Sequence, residues 1–437
     1  MTKFKLFSRF SRYVVVVTLT ILALACQTWS EPTPTPTLVI QSAKTGSPLS
    51  PVMRDQHRRI FRSVWRTVQQ HYLYEDYRGV DWLAVRQEFA PLVDAAQDDA
   101  AFWALMQAMI AQLGDEHSSF LTPEEALTED RAMHGELDYV GIGVFIAVPE
   151  DVDYGVILFP LPDSPAAVAG LRPHERILSV AGTPACCDED GFDNLHLLRG
   201  PEGTDVEVVL QSSDTVTRTV RVRRERIQTQ VPILSRHLPL GERTIGYVMV
   251  PTLWDGTIAE RMRSTLVDLA AEDELSGLIL DLRVNGGGAF TELYEVLSLF
   301  VDGEVGYFYR HGAKRDMLTI KSDPVVGSQD MPLIVLIGPY TESFAEVLSG
   351  ILQDVGRAQL IGATTAGNVE TLHPYDLADG SRLWLAEETF FPLSGTRWEG
   401  VGVQPDRVVN DAWEDFTDMN DPYIAEALEV FQGMLEK

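Results

Sequence analysis

The chain has 437 residues, 45% of them hydrophobic and 23% charged, and its formal net charge is −29 at pH 7. This length exceeds what one compact core accommodates and indicates two or three domains with the composition of ordinary globular protein. The acidic balance argues against a nucleic-acid partner, because binding to a phosphate backbone depends on clustered Lys and Arg.

The N-terminus has the pattern of an export signal. Four basic residues precede an unbroken apolar or hydroxyl run over 14–25, which is too short to span a bilayer comfortably but suits a signal-peptide core. The run ends in Leu-Ala-Leu-Ala before Cys26, which resembles a bacterial lipobox. This resemblance implies that 1–26 is a lipoprotein signal peptide and that the protein is extracytoplasmic, periplasmic or at the cell surface, with a lipid anchor on Cys26 in the membrane. Cleavage by an ordinary signal peptidase is the alternative.

Two regions follow the signal. Prolines alternate with threonines over 31–37 and cannot pack, so residues 27–51 are predicted to be an extended tether. Residues 52–136 are predicted to be a helical region, because apolar side chains recur at the spacing of one helix face. We interpret two such stripes as core: Phe61, Val64, Trp65, Val68, and Phe102, Leu105, Met106, Met109.

Residues 137–228 consist of short β-rich runs separated by turn signals. Strands are predicted over 140–148, 154–159, 176–180, 206–211 and 216–222, with a short helix after Ser164. The phrases SPAAVAGLRPHERI and LRGPEGT resemble a PDZ domain of the circularly permuted kind found in bacterial proteases. The resemblance implies that a peptide C-terminus is added as a strand and that backbone amides hold its carboxylate. The residues expected to do so are Val140, Gly141, Ile142 and Gly143.

Residues 229–437 alternate strands with helices, which predicts an α/β domain with a largely parallel sheet. The fold class expected for the whole chain is therefore multidomain α/β, with an N-terminal helical region and an inserted β domain. In 229–437 the predicted strands are 245–250, 277–282, 333–337, 359–361, 381–386 and 388–391, and the predicted helices are 257–269, 289–300 and 344–355.

Ser343 lies in a strand–turn–helix pattern. The apolar run 333–337 predicts a strand buried on both faces, and an amphipathic helix follows the turn at 338–342. Ser343 is thereby placed at a helix N-terminus, where free amides and the positive end of the dipole suit a nucleophile and its oxyanion. A serine that only caps the helix is the alternative.

The segment LILDLRVNGGG over 278–288 ends a strand in three glycines. Glycines leave the backbone amides uncovered and able to approach a substrate carbonyl closely. A phosphate-binding loop is disfavoured, because no Gly-Lys-Ser/Thr follows.

These motifs resemble the C-terminal processing (tail-specific) peptidases in order and spacing over nearly all of residues 55–410. The resemblance also uses LGDEHSSF upstream, ESFAE around the serine, and TTAGN and WEGVGVQPD downstream. It implies a serine endopeptidase that acts on proteins or peptides without a metal or other cofactor. Ser343 is then the nucleophile, and the N–H groups of Gly287 and Phe344 form the oxyanion hole.

One position departs from the family pattern. Asn368 stands where lysine-type members carry the general base, and an amide cannot accept the proton of a serine. The tricorn-type branch uses a histidine and a glutamate, for which this chain offers His117 and Glu399; the group that links them is left open. His373 is the rival base. The alternative function is a catalytically inactive peptide-binding scaffold of the same fold.

Overall fold

The computed structural model describes residues 50–115, 117–133, 137–149, 152–186 and 194–435. The expected signal peptide 1–26 with Cys26, and the expected tether up to residue 49, lie outside the described residues. Within those ranges no helix is both long and apolar enough to cross a bilayer.

The described residues form helices and strands that alternate along the chain. The helices are α1 Pro51–His71, α2 Trp82–Ala95, α3 Asp99–Ala111, α4 Pro123–Met133, α5 Pro165–Val168, α6 Ile258–Glu272, α7 Phe290–Ser298, α8 Phe344–Asp354 and α9 Pro422–Leu435. The strands are β1 Ser119–Leu121, β2 Leu137–Gly141, β3 Val144–Ala147, β4 Gly155–Pro160, β5 Arg176–Val180, β6 Thr183–Pro184, β7 Asp205–Gln211, β8 Thr217–Arg223, β9 Glu225–Thr229, β10 Leu234–Leu240, β11 Arg243–Met249, β12 Leu275–Asp281, β13 Gly303–Arg310, β14 Lys314–Ile320, β15 Leu333–Ile337, β16 Gln359–Gly362, β17 Glu370–Asp376, β18 Arg382–Pro392 and β19 Arg407–Val408.

The N-terminal helices begin at capping residues. Ser50 accepts a hydrogen bond from the N–H of Met53 at 3.3 Å, and Pro51 occupies the first turn of α1, where its missing N–H is not needed. Asp81 and Asp98 cap α2 and α3 in the same way. The buried faces of these helices share one core with the first half of β18. The helical region therefore packs against a sheet formed much later in the chain.

The segment from β2 to β9 has its own antiparallel sheet and core. Its strands run in the order β3-β4-β5-β7-β8, with β6 on β5, while β2 pairs with β9. The strand predicted over 140–148 is in fact two, β2 and β3. The break comes at Gly143, which has φ 76° and whose added Cβ would lie 2.5 Å from the Cβ of Ser164. The chain must turn there, so one continuous strand cannot form.

The central sheet has the order β10-β11-β12-β15-β16-β19, and every pair except β10–β11 is parallel. Helices α6, α7 and α8 cover one face, where Leu278, Leu280 and Val335 are buried. Helix α9 covers the other face, where Ile279 and Ile334 are buried. Both faces of the central sheet are therefore buried, which explains why β15 is apolar at every position.

A second sheet has the order β1-β18-β13-β14, with β17 also paired to β18, and all of its pairs are antiparallel. The two strands predicted over 381–386 and 388–391 are one strand, β18. Strands β13, β14 and β17 were not predicted, because their polar residues interrupt the apolar pattern; only Leu318 and Ile320 are buried in β14. The molecule is thus a mixed α/β protein with several sheets, and β17 begins at a residue of the candidate site, Glu370.

Candidate active site

Ser343 lies in a strained turn between β15 and α8. Its backbone has φ 54° and ψ −127°, outside the extended region that N-cap residues usually adopt. Holding a residue other than glycine in such a conformation costs about 1–3 kcal/mol. Thr341 fixes the turn, because its hydroxyl donates to the Leu282 carbonyl at 2.9 Å and accepts from the Gly338 N–H at 3.0 Å. The turn places Ser343 at the start of α8 and at the carboxyl edge of the parallel strands.

Glu346, in the first turn of α8, is fully buried and holds this turn. Its Oε2 accepts from the N–H of Ser343 at 3.1 Å and of Asn368 at 2.8 Å. Its Oε1 accepts from the N–H of Gly367 at 2.7 Å and from the Thr365 hydroxyl. Burial raises the pKa of Glu346 to about 7, against these four donors, which lower it. One carboxylate thus joins the serine turn to the loop that contains Asn368.

Replacement of Glu346 by glutamine is expected to flatten the pH dependence of stability. The folded pKa of about 7 exceeds the ordinary value of 4.5. Between these values the folded protein keeps a proton that the unfolded chain releases, so wild-type stability falls as pH rises, by up to about 1.4 kcal/mol per pH unit. Urea unfolding of both proteins across this window measures the effect. The unfolding free energy of wild type minus that of Glu346→Gln should decrease with rising pH, and a constant difference would contradict the assignment.

Gly287 packs directly on the serine turn. Its φ is 84°, and an added Cβ would lie 2.6 Å from the Cβ of Ser343 and 3.1 Å from the N of Phe344. No side chain fits there, so the position requires glycine. Asn285 braces the loop, since its Nδ2 donates to the Val250 carbonyl at 2.8 Å and its Oδ1 accepts from the Gly287 N–H at 2.9 Å.

The two amides expected to form an oxyanion hole differ in whether they already donate a hydrogen bond. The N–H of Phe344 has no acceptor among the residues that the structure describes. The N–H of Gly287 already donates to Asn285. Sequence reasoning missed this bond, because the Asn285 side chain meets the glycine amide only once the loop has folded. A substrate oxygen would therefore compete with Asn285 for the Gly287 N–H.

Gly287→Ala is expected to slow reaction of Ser343 with a fluorophosphonate probe at least about 100-fold, because the methyl group displaces Ser343 and the amides expected to form the oxyanion hole. Gly286→Ala is the matched control, since a Cβ at Gly286 meets only Glu342 Oε2, at 4.0 Å. Labelling rates measured on both folded variants check this prediction. Equal rates for Gly287→Ala and wild type would refute the placement of the loop against the nucleophile.

His117 is presented by a turn that Asp115 organises. Asp115 Oδ1 accepts from the N–H groups of His117 at 3.1 Å and Ser118 at 2.5 Å, and its Oδ2 accepts from the hydroxyl of the fully buried Tyr72 at 2.6 Å. The Ser118 hydroxyl donates to Asp115 Oδ2 at 3.0 Å and accepts from the Ala386 N–H at 3.1 Å. Ser118 therefore serves the turn and its junction with β18, not the histidine ring.

Two carboxylates face the His117 ring. Glu370 Oε2 lies 3.6 Å from His117 Nε2, and the nearest ligand atoms of His117, Glu370 and Glu399 all lie within 4.8 Å of one another. The Tyr74 hydroxyl donates to Glu370 Oε1. Burial raises the pKa of Glu370 to about 7, and burial together with the charge of Glu370 raises that of Glu399.

Sequence reasoning paired His117 with Glu399 but missed Glu370 and Tyr74. One signal could have found Glu370. Glu370 is a carboxylate only two positions after Asn368, the residue that departs from the family pattern.

Consecutive residues of one loop contact both halves of the site. The amides of residues 367 and 368 donate to Glu346, beneath the serine. The amide of Val369 donates to Glu399 Oε2 at 2.9 Å, and the following side chain, Glu370, faces the histidine ring. The loop thus joins the serine turn to the imidazole–carboxylate cluster.

Residues 244–409 match peptidase family S41, and residues 53–111 match the tricorn protease C1 domain. A carboxyl-terminal-processing protease of Picosynechococcus is 28% identical over 79% of this chain and 81% of its own length. The solved structure of a photosystem II D1 C-terminal processing protease is similar with a TM-score of 0.60 and 26% identity, covering 81% of this chain and 93% of that one.

The chain belongs to the C-terminal processing peptidase family. It is a serine-type peptidase. Another similar protein is the C-terminal processing peptidase of Tetradesmus obliquus, named as chloroplastic, which is 28% identical over 79% of this chain and 76% of its own length.

The rival base of this peptidase, His373, is held by a different carboxylate. It lies on β17, and its Nε2 is 2.8 Å from Oε1 of Glu388 on β18. This contact raises the pKa of His373. Arg310 pairs with the same oxygen of Glu388 at 2.5 Å. His373 therefore belongs to an ion-pair group on the second sheet.

The four residues expected to bind a peptide carboxylate in this peptidase are not equivalent. Val140 and Gly141 belong to β2, which pairs with β9. Ile142 and Gly143 lie between β2 and β3, and their amides have no backbone acceptor in the described part of the chain. The Ile142 carbonyl accepts from the N–H of Ala166 in α5 at 2.8 Å. Strand β3 is the edge of its sheet, so a free strand edge begins directly after these two amides.

Proposed function

We propose that this chain is an extracytoplasmic serine endopeptidase that cleaves proteins or peptides recognised partly by their C-termini. Ser343 is the nucleophile, His117 the general base and Glu399 a carboxylate that orients the base. One observation carries the proposal: the loop that binds Glu346 beneath Ser343 is continuous with Val369 and Glu370, which contact Glu399 and His117. An imidazole from far upstream thereby takes the place of the absent lysine.

The proposed reaction is acyl transfer. His117 removes the Ser343 proton as Oγ attacks a peptide carbonyl, then donates that proton to the leaving amine. Because Nε2 faces Glu370, the other ring nitrogen is left for the serine hydroxyl. The carboxylates of Glu370 and Glu399 stabilise the imidazolium that forms. Water then attacks the acyl-enzyme with the same base and releases the second product.

The charge that develops on the carbonyl oxygen is placed at the N-terminus of α8. The Phe344 N–H and the helix dipole support it from the start. The Gly287 N–H joins when the substrate oxygen replaces Asn285 as its acceptor. In this proposal the complete oxyanion hole is assembled by the substrate.

The β-rich segment 137–228 is proposed to be a PDZ domain that binds the C-terminus of the substrate. The amides of Ile142 and Gly143, which have no backbone acceptor among the described residues, would donate to the terminal carboxylate. The peptide would extend as an added strand along the free edge of β3, beside α5. Binding there would leave the rest of the substrate to reach the protease cleft.

The proposed location is outside the cytoplasm, on a membrane. The signal pattern at 1–26 and the lipobox before Cys26 support a lipid anchor, with the tether spanning 27–51. The naming of the Tetradesmus obliquus relative as chloroplastic is consistent with an extracytoplasmic location. Incorporation of labelled fatty acid that is lost in Cys26→Ser would support the anchor, and equal incorporation would exclude it.

A fluorophosphonate probe and a pair of peptides test the catalytic and PDZ proposals separately. Labelling should occur in wild type and be absent from Ser343→Ala, because the probe reacts with the activated hydroxyl. Cleavage of a peptide with a free C-terminal carboxylate should be faster than cleavage of its amidated form. Unlabelled but folded wild type would refute the catalytic assignment, and equal cleavage of the two peptides would refute the PDZ role.

A further inference from the structure

The imidazole of His117 faces two carboxyl groups, one more than a general base needs. A catalytic histidine is normally oriented by one carboxylate, whereas here two glutamates lie within 4.8 Å of one histidine. Glu370 is 3% exposed overall and its side chain is fully buried. Arg78 and Arg397 lower its pKa only as minor contributors and form no ion pair with it in the described chain.

One oxygen of this pair is unsatisfied. The Tyr74 hydroxyl donates to Glu370 Oε1, but Glu370 Oε2 is buried and has no hydrogen-bond partner among the residues that the structure describes. It points toward His117 Nε2, and 3.6 Å is too long for a hydrogen bond. A buried polar atom in this state needs a partner, and a bound cation would supply one.

The donor set suits a borderline divalent cation. Zn²⁺ takes imidazole nitrogen and carboxylate oxygen at about 2.0–2.2 Å, and three protein ligands with one open position form a stable site. The three ligand atoms already lie within 4.8 Å of one another. Small side-chain rotations would therefore bring each of them to a metal–ligand distance from a Zn²⁺ ion placed between them. The second carboxylate, Glu399, accepts a hydrogen bond from the Val369 N–H at 2.9 Å. Carboxylates that bind a metal are usually held by such a hydrogen bond.

We propose that His117, Glu370 and Glu399 form a regulatory Zn²⁺ site that switches the peptidase off. A metal shared with Glu370 binds Nε2 of His117 and leaves the single imidazole proton on the other ring nitrogen, which then cannot accept the Ser343 proton. The inhibitory consequence rests on the proposed function, in which His117 is that base; binding of the metal does not.

Isothermal titration of metal-free protein with Zn²⁺ tests the site directly. Wild type and Ser343→Ala should each bind Zn²⁺ at this site, and Glu370→Gln should bind it at least about tenfold more weakly. His373→Gln is the matched control, because it disrupts another histidine–carboxylate pair, with Glu388, and should leave this binding unchanged. Glu399→Gln provides a second variant if Glu370→Gln fails to fold by circular dichroism.

Fluorophosphonate labelling tests the switch separately. Zn²⁺ should block labelling of wild type, a chelator should restore it, and Glu370→Gln should need at least about tenfold more Zn²⁺ for the same block. Absent binding, or equal binding by wild type, Glu370→Gln and Glu399→Gln, would overturn the site while leaving the proposed peptidase mechanism standing. The opposite result is also informative. If Zn²⁺ binding depends on Glu370 but the wild-type protein never reacts with the fluorophosphonate, the metal site is supported and the proposed mechanism is overturned.

Discussion

Replacement of His117 by alanine is expected to lower kcat/KM for peptide cleavage by about 10⁴-fold or more. A serine hydroxyl at its ordinary pKa is a weak nucleophile, and Asn368 cannot take its proton. The double variant Ser343→Ala/His117→Ala should be no slower than either single variant, because residues that act as one unit lose their effect together. Steady-state kinetics with a fluorogenic peptide measure both effects.

His373→Ala is the control for this experiment. His373 pairs with Glu388 on the second sheet, so its loss should change kcat/KM less than about tenfold, as expected for a group outside the proton-transfer path. A large loss in His373→Ala with near wild-type rates in His117→Ala would reverse the assignment of the base. Equal rates in all three proteins would show that neither histidine performs the proton transfer.

Loss of Asp421 is expected to have the largest effect on stability, about 3–5 kcal/mol for Asp421→Ala. Arg283 is 3% exposed and donates to both oxygens of Asp421, at 3.1 and 2.7 Å, as well as to Asp281 at 2.6 Å. Removing one carboxylate leaves buried positive charge only half compensated. Arg283 lies two residues before Asn285, so this ion pair also anchors the glycine loop to the start of α9.

Two further variants show how much of this loss of stability comes from the buried charge. Asp421 also accepts from the N–H of Tyr423 at 2.9 Å, and Asp421→Asn keeps an acceptor there while removing the charge. Glu426→Ala breaks the exposed pair with Arg407 and should cost no more than about 1 kcal/mol. Urea unfolding of the three variants provides the comparison. A cost below about 1 kcal/mol for Asp421→Ala would contradict the importance of the buried pair.

The serine half of the site was predictable because its signals are local. The apolar run before Ser343, the turn and the amphipathic helix are adjacent in the chain, and their periodicities follow from burial on both faces of one sheet. The helix predicted over 344–355 is α8, Phe344–Asp354, and the strand over 333–337 is β15. The three glycines predicted backbone amides that could approach a substrate carbonyl closely, and this stays a prediction; what the structure shows is that Gly287 packs against Ser343.

The prediction of the histidine half of the site depended on family resemblance, and part of that half could not be predicted from the sequence. Tyr74 and Glu370 are 296 positions apart, yet their side chains are hydrogen-bonded. No period or motif connects such residues, because the contact exists only after the N-terminal helices pack on β18 and β17 pairs with that strand. Asn285 shows the same limit at short range, since its bond to Gly287 depends on the folded loop.

From the amino-acid sequence alone come the alternation of strands and helices, the glycine loop and the serine at a helix N-terminus. These follow from the spacing of apolar side chains and the backbone freedom of glycine, which act between near neighbours. Only the tertiary structure decided that two glutamates face one histidine, that Tyr74 binds one of these glutamates, and that Glu346 supports the serine turn. Such groups meet because burial of apolar surface draws distant segments together, and the pKa values of Glu346, Glu370 and Glu399 are raised because that burial also removes water.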